Sequence, residues 1–223
     1  MNQVAIPTEK PAPVRPRRIG LWVSVIATLA TVCAVAAMWL HSRGDGSGYQ
    51  YYGQWIGKDA PDFELTNQDG GTTRLASLRG NLILMTFGFT HCPNICPTTL
   101  ANLGAICDGL PAPDRERVRV LFISVDPARD TPALLKPYVT FYNARFSGLT
   151  GSADQIARVA KDYGVYYEPV MQQSQVAGDY YTINHSAYVY LIDPAGQYAV
   201  LYDNDKLADH ASMTRDIEHV LAR

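Results

Sequence analysis

The chain has no surplus of positive charge: 19 Lys and Arg stand against 21 Asp and Glu, a formal net charge of −2 over 223 residues. Four of the basic and one of the acidic side chains precede residue 41, so the remainder carries 15 against 20. That balance excludes the basic stripe with which a domain neutralises nucleic-acid phosphates. There is no internal repeat. Cysteine is scarce, and two of the four have an apolar setting, Cys33 in a long hydrophobic run and Cys107 on the apolar stripe of a predicted helix. What remains is one close pair, Cys92 and Cys96.

The pair lies in T-F-G-F-T-H-C-P-N-I-C, Thr86 to Cys96, followed by Pro97. Leu82 to Phe89 is a nearly unbroken apolar run and predicts a central strand covered on both faces. The loop therefore leaves the carboxyl edge of a sheet, where open α/β sheets build their sites. Pro97 suits the first turn of a helix and biases Cys96 away from helical geometry. Both sulfurs are then expected on or beside a helix N-terminus, where the dipole favours the thiolate. Two residues one helical turn apart are about 6 Å apart, so a disulfide is geometrically allowed. Three residues separate the cysteines, against two in thioredoxin-like oxidoreductases. The pair is also a half-site for a soft ion such as Cu(I), or less specifically for zinc. A purely structural bridge across so short a loop gains little from closure.

Ile19 to Leu40 is 22 residues without a formal charge, enough to span a bilayer of about 30 Å, with Trp22 and Trp39 near its ends. Arg15, Arg17 and Arg18 precede it closely and Arg43 follows, which orients residues 1–18 to the cytoplasm and exports the rest. A cleaved signal peptide is the alternative, with Ala34-Val35-Ala36 as its cleavage site, but the run is long for one. Val32 before Cys33 argues against a lipoprotein. The organisation read from the sequence is a basic tail 1–18, a transmembrane anchor 19–40, a linker 41–55 that is flexible over Ser42 to Gly48, and one domain 56–223. The chain would sit in the bacterial inner membrane with its domain in the periplasm.

Within that domain, Pro97 to Leu110 predicts a helix with Leu100, Leu103, Cys107 and Leu110 inward. Arg117 to Asp126 is a second strand, and Thr131-Pro132 opens another helix. Gly151 to Tyr163 is a third helix with Ile156, Val159 and Ala160 inward. A polar insertion follows, then strands Ala187 to Ile192 and Tyr198 to Tyr202 around the turn at Asp193-Pro194-Ala195-Gly196, and a last helix from Leu207 to Ala222. This order is that of an α/β, thioredoxin-like fold with an insertion.

Two thiolates leave a copper site open, and among the five histidines His185, in Y-T-I-N-H-S, is the best placed third donor. A histidine hydrogen-bonded at a strand edge is the alternative. His91, adjoining Cys92, would need strained geometry to bind the same ion, so an outer or solvent-facing role is expected of it. Asp126 is either a carboxylate supporting the site or a turn residue before Pro127. His210 and His219 are expected on the surface of the last helix.

Three runs, G-F-T-H-C-P-N-I-C-P from Gly88, I-S-V-D-P-A-R-D-T-P from Ile123 and N-H-S-A-Y-V-Y-L-I-D-P-A-G from Asn184, together resemble the Sco/SenC family of copper-binding assembly factors. The resemblance implies that Cys92, Cys96 and His185 match the family's copper ligands and that Cys92 and Cys96 also cycle between dithiol and disulfide. It further implies one copper per chain and, as partner, the subunit of cytochrome c oxidase that carries the dinuclear CuA centre. Asn94 and Asn184 stand where the family commonly has Asp, each removing a negative charge beside a proposed ligand. A thiol–disulfide reductase of the oxidase's copper-site cysteines, with Cys92 attacking and Cys96 resolving, and a copper or redox sensor are the other functions compatible with these residues. Peroxidase chemistry is disfavoured, since it needs one activated cysteine in a peroxide pocket.

Overall fold

A computed structural model of the chain describes residues 19–41, 45–172 and 180–223. The basic tail, part of the glycine-rich stretch and the middle of the polar insertion lie outside the described residues. The chain divides into two units, Met1–Ser42 and Arg43–Arg223.

In the first unit, α1 (Ile19–His41) is a single helix of 23 residues. Trp22, Ile26, Leu29, Val32 and Met38 are exposed on it, and Cys33 is exposed among them. Its hydroxyls return to the helix backbone: Thr28 Oγ1 donates to Ser24 O and Thr31 Oγ1 to Ala27 O, each at 2.9 Å. Such bonding removes the cost of a free hydroxyl in apolar surroundings. Side chains at both helix ends lie outside the described residues, and over the described residues alone no helix is long and apolar enough to cross a membrane.

The second unit begins with three short strands, β1 (Gln54–Asp59), β2 (Glu64–Asn67) and β3 (Thr72–Arg74). Then come β4 (Leu82–Gly88), α2 (Ile95–Gly109), α3 (Ala112–Arg117), β5 (Val118–Ser124), α4 (Pro132–Tyr142), β6 (Phe146–Thr150) and α5 (Ala153–Asp162). A hairpin of β7 (Tyr167–Gln172) and β8 (Tyr180–His185) precedes β9 (Tyr188–Ile192), β10 (Gln197–Asp203) and α6 (His210–Leu221). The main sheet has the order β1-β10-β9-β4-β5-β6-β2-β3, and β7-β8 form a separate two-stranded ribbon.

Every residue of β4 is buried. It runs parallel to β5 from Leu82↔Val118 to Gly88↔Ser124 and antiparallel to β9 from Ile83↔Ile192 to Thr86↔Val189. The central strand is thus covered on both faces, as its composition requires. Leu100, Leu103, Cys107 and Leu110 pack inward, as do Ile156, Val159 and Ala160 of α5, whose start is fixed by a capping box between Ser152 and Gln155. The parallel β4, β5 and β6 with the antiparallel β9–β10 hairpin make the α/β, thioredoxin-like arrangement.

Several boundaries differ from the sequence expectation. α2 starts at Ile95 and includes Cys96. Pro97 is therefore within the first turn, where its missing N–H needs no partner. α6 starts at His210, where the Asp209 carboxylate accepts from Ser212 N at 3.0 Å; the residues before it, Asn204–Ala208, form a 3-10 turn. Part of the insertion forms the β7–β8 ribbon.

Residues 45–55, expected as linker, instead lie against α6 through Tyr49 and Tyr52 and enter β1 at Gln54. The buried carboxylate of Asp216 needs donors and receives Tyr49 Oη at 3.0 Å, Tyr52 N at 3.0 Å, Gly53 N at 3.3 Å and Tyr202 Oη at 2.9 Å. Asp45 takes His219 Nε2 at 3.0 Å and Arg223 Nη1 at 2.9 Å. His219 is accordingly not a free surface group: its ring stacks on Tyr49 at 3.9 Å between centroids. His210 Nε2 donates to Asn102 Oδ1 at 2.8 Å. At the sheet's edges, β1 slips register between Trp55 and Lys58, around Gly57 at φ 66°, and β3 has three residues.

Candidate metal centre

The Cys loop leaves β4 at Gly88. An added Cβ at Gly88 would lie 2.5 Å from Cys96 Sγ and 2.8 Å from the Phe122 ring, so the missing side chain is what lets the sulfur rest on the strand end. Cys92, with its N–H donating to Phe89 O at 3.2 Å, stands before the helix, and Cys96 lies in its first turn; both are buried. His185 is the last residue of β8. The two sulfurs and one imidazole nitrogen lie within 4.8 Å of one another.

His185 Nε2 is 3.5 Å from Cys96 Sγ, and Nδ1 is 2.9 Å from Ser186 O. A carbonyl only accepts, so in the neutral ring Nδ1 carries the proton and Nε2 turns its lone pair to the sulfurs. The donor set of two soft sulfurs and one imidazole, with the second ring nitrogen fixed by a backbone carbonyl, fits copper.

The two thiols share one proton unequally. The Cys96 thiol donates toward Cys92 and, with the N–H groups of Cys96 and Asn94, outweighs burial to bring Cys92 down to about 3. Cys96 is driven far up by its hydrogen bond to Cys92 and by burial. The pair gives up its first proton easily and holds its second. Cys107, pushed up to about 12 by burial, is an inert thiol. In the copper-free reduced chain, Cys92 is therefore expected to alkylate at a nearly constant rate from pH 7 down to about 4, where an ordinary thiol loses about tenfold per unit. Mass spectrometry after timed haloacetamide pulses reads this directly. A tenfold loss per unit between pH 8 and 6 would contradict the arrangement.

Buried carboxylates hold the loops. Asp130, wholly buried, accepts Thr90 N at 3.0 Å, Thr90 Oγ1 at 2.6 Å and Ser124 Oγ at 2.6 Å, fixing the start of the Cys loop. Asp126 is no ligand: its carboxylate takes Arg129 Nε and, at 2.8 Å, Tyr181 Oη of β8. His91 is exposed and outside the donor cluster, its Nδ1 3.1 Å from Thr90 Oγ1. Asn94 is exposed at the N-cap of α2, where its side chain makes no cap bond. Asn184 is also exposed and pairs in register with Glu168 across the ribbon, so a carboxylate stands opposite the missing one. Sequence reasoning missed Asp130, Arg129 and Tyr181. The first two lie inside the run Ile123–Pro132, but one sequence does not separate a buried acceptor from a turn aspartate.

The SCO1/SenC family matches residues 57–222. A putative copper-binding protein of Stutzerimonas stutzeri is 40% identical over 136 residues, 61% of this chain and 65% of that protein, so the match spans just under two thirds of that relative. The apo Sco1 structure from Thermus thermophilus superposes with a TM-score of 0.69 at 32% identity, covering 79% of this chain and 100% of that one. ScoI of Bradyrhizobium japonicum, solved with copper bound, gives a TM-score of 0.64 at 33% identity, covering 73% of this chain and 99% of that one. With the match running from β1 to the end of α6 and the three donors converging at the sheet's carboxyl edge, this chain belongs to the SCO1/SenC family.

Proposed function

We propose that this chain binds one copper ion through Cys92, Cys96 and His185 and serves assembly of the CuA centre in the copper-bearing subunit of cytochrome c oxidase. The convergence of two sulfurs and an imidazole nitrogen within 4.8 Å is the observation that carries the reading. Copper is here the cargo, and the soft pair suits Cu(I) while the imidazole serves either oxidation state. The charge-free run Ile19–Leu40, helical over its length, supports anchoring in the bacterial inner membrane. The arginines before it support a cytoplasmic tail and a periplasmic domain.

The test is a titration of the reduced chain with Cu(I) and Cu(II) against a competing chelator. One copper per chain is expected. His185→Ala should weaken Cu(II) retention by at least the ~10–100-fold that loss of an outer-shell partner costs, while leaving the dithiol able to oxidise, because imidazole takes no electrons from the sulfurs. Equal retention by variant and parent would remove His185 from the site.

A second reading, thiol–disulfide reduction of the client's copper-site cysteines, is favoured by the asymmetry of the pair. Cys92, 8% exposed, is the thiolate, and Cys96, 3% exposed, is the held thiol. In that reaction Cys92 attacks a client disulfide, one client sulfur leaves as a thiol, and Cys96 then displaces the other. The client ends reduced and the Cys92–Cys96 pair oxidised.

A further inference from the structure

The ribbon that carries His185 forms no ladder with the main sheet. The third metal donor therefore stands between β9, which begins three residues on, and a ribbon whose tilt is set by side chains. Along β8, alternation puts Tyr181, Ile183 and His185 on one face; Ile183 is buried in the core and Tyr181 packs against it. The polar attachment on this face is made at Tyr181. Its carbonyl accepts Arg129 Nη1 at 3.0 Å, its ring lies 3.7 Å below the Arg129 guanidinium carbon, and its hydroxyl donates to Asp126 at 2.8 Å. Asp126 in turn takes Arg129 Nε. Arg129 also stands 5.8 Å over the ring of Phe89, which meets the His185 ring edge-on at 5.8 Å and opens the Cys loop.

We infer that Arg129 is the positioning residue of the metal site: it seats the β7–β8 ribbon so that His185 reaches the sulfurs. The inference rests on copper binding at Cys92, Cys96 and His185. Tyr181 and His185 are four residues apart on one strand, about 13 Å, so fixing the first sets the register and tilt of the second. Without Arg129, Ile183 and the bond from Ser186 N to Tyr166 O at 2.9 Å still tie the base of the ribbon to the domain, while its ladder opens more often. What is lost is its placement. A planar, forked cation is required, because one group must bond a carboxylate and a carbonyl while lying flat on a ring, and an ammonium does not do all three.

The full chain is compared with Arg129→Gln, Arg129→Lys, His185→Ala and the double variant Arg129→Gln/His185→Ala. In the copper-free state, hydrogen exchange of the amides of 181–185 should speed up tenfold or more in Arg129→Gln, with those of β4 and β5 unchanged. Cu(II) retention against a chelator should fall ~10–100-fold, the nitrogen coupling in the Cu(II) spectrum should weaken, and Arg129→Lys should not rescue either. The double variant should retain copper as His185→Ala does, because both changes remove the same donor. Unchanged exchange in 181–185, faster exchange across the whole sheet, rescue by Arg129→Lys, or additive losses in the double variant would each overturn the role of Arg129. Should His185→Ala retain copper like the parent, the copper site itself is misassigned, and the exchange data still decide whether Arg129 seats the ribbon.

Discussion

Cys92→Ser and Cys96→Ser are each expected to abolish tight copper retention, by well over the ~100-fold that even loss of an outer-shell partner costs, and to abolish the intramolecular disulfide. Serine keeps the volume but exchanges a soft, ionisable sulfur for a hydroxyl that stays protonated, so neither charge nor polarisability remains to hold a monovalent copper ion. Cys107→Ser is the control. Its sulfur is buried on the inner stripe of α2 and outside the donor cluster, so copper and disulfide should survive at a cost of about 1 kcal/mol in stability. Chelator competition and thiol counting on the three variants check this. Loss of copper in Cys107→Ser with retention in Cys92→Ser would mean that the wrong sulfurs have been assigned.

Gly88→Ala should damage both fold and site. Its new methyl would meet Cys96 Sγ at 2.5 Å and the Phe122 ring at 2.8 Å, with β4 held on both sides by β5 and β9. Overpacking of a tight core costs about 1–3 kcal/mol, and at this size each kcal/mol lowers Tm by roughly 2–4 °C. Because the sulfur is one of the two crowded groups, copper retention should fall further than the stability loss explains. Gly148→Ala separates the effects: its Cβ would come to 3.0 Å from Leu135 Cβ, away from the metal donors, so it should lower Tm and spare copper. Parent-like melting and loading by Gly88→Ala would show that the strand end has room the structure denies it.

Cys92, Cys96 and His185 were legible because their chemistry depends on residue type, and the strand before the thiols was legible because L-I-L-M-T-F-G is buried on both faces. The helices α2, α4, α5 and α6 followed from period and caps, whereas the six-residue α3 did not. The short strands β1, β2, β3 and β6 were not, since three to six residues of mixed polarity carry no period of their own and are strands only because the sheet pairs them. The same holds for Asp216 and Asp130, buried acceptors with donors from distant segments, Tyr49 and Tyr52 for the first and Thr90 for the second. Asp126 was read only as one of two alternatives, a supporting carboxylate or a turn residue, and its bond from Tyr181 decides for the first. The ribbon under His185 was hidden for a related reason, because its two strands pair only with each other and are joined by a polar segment.

The treatment of the sheet's two margins bears on how this domain meets other proteins. A long, flat outer strand offers a row of open amides and carbonyls to any extended chain that passes, the usual route to strand recruitment and aggregation. Here one margin is broken by the slip around Gly57 and carries Lys58 and Asp59, and the other ends in a three-residue strand flanked by the Arg74–Glu64 pair at 2.5 Å. Neither side of the main sheet is a template for added strands. Recognition by side-chain contact at the carboxyl end, where the sulfurs lie, is thereby left without competition from backbone pairing along the margins.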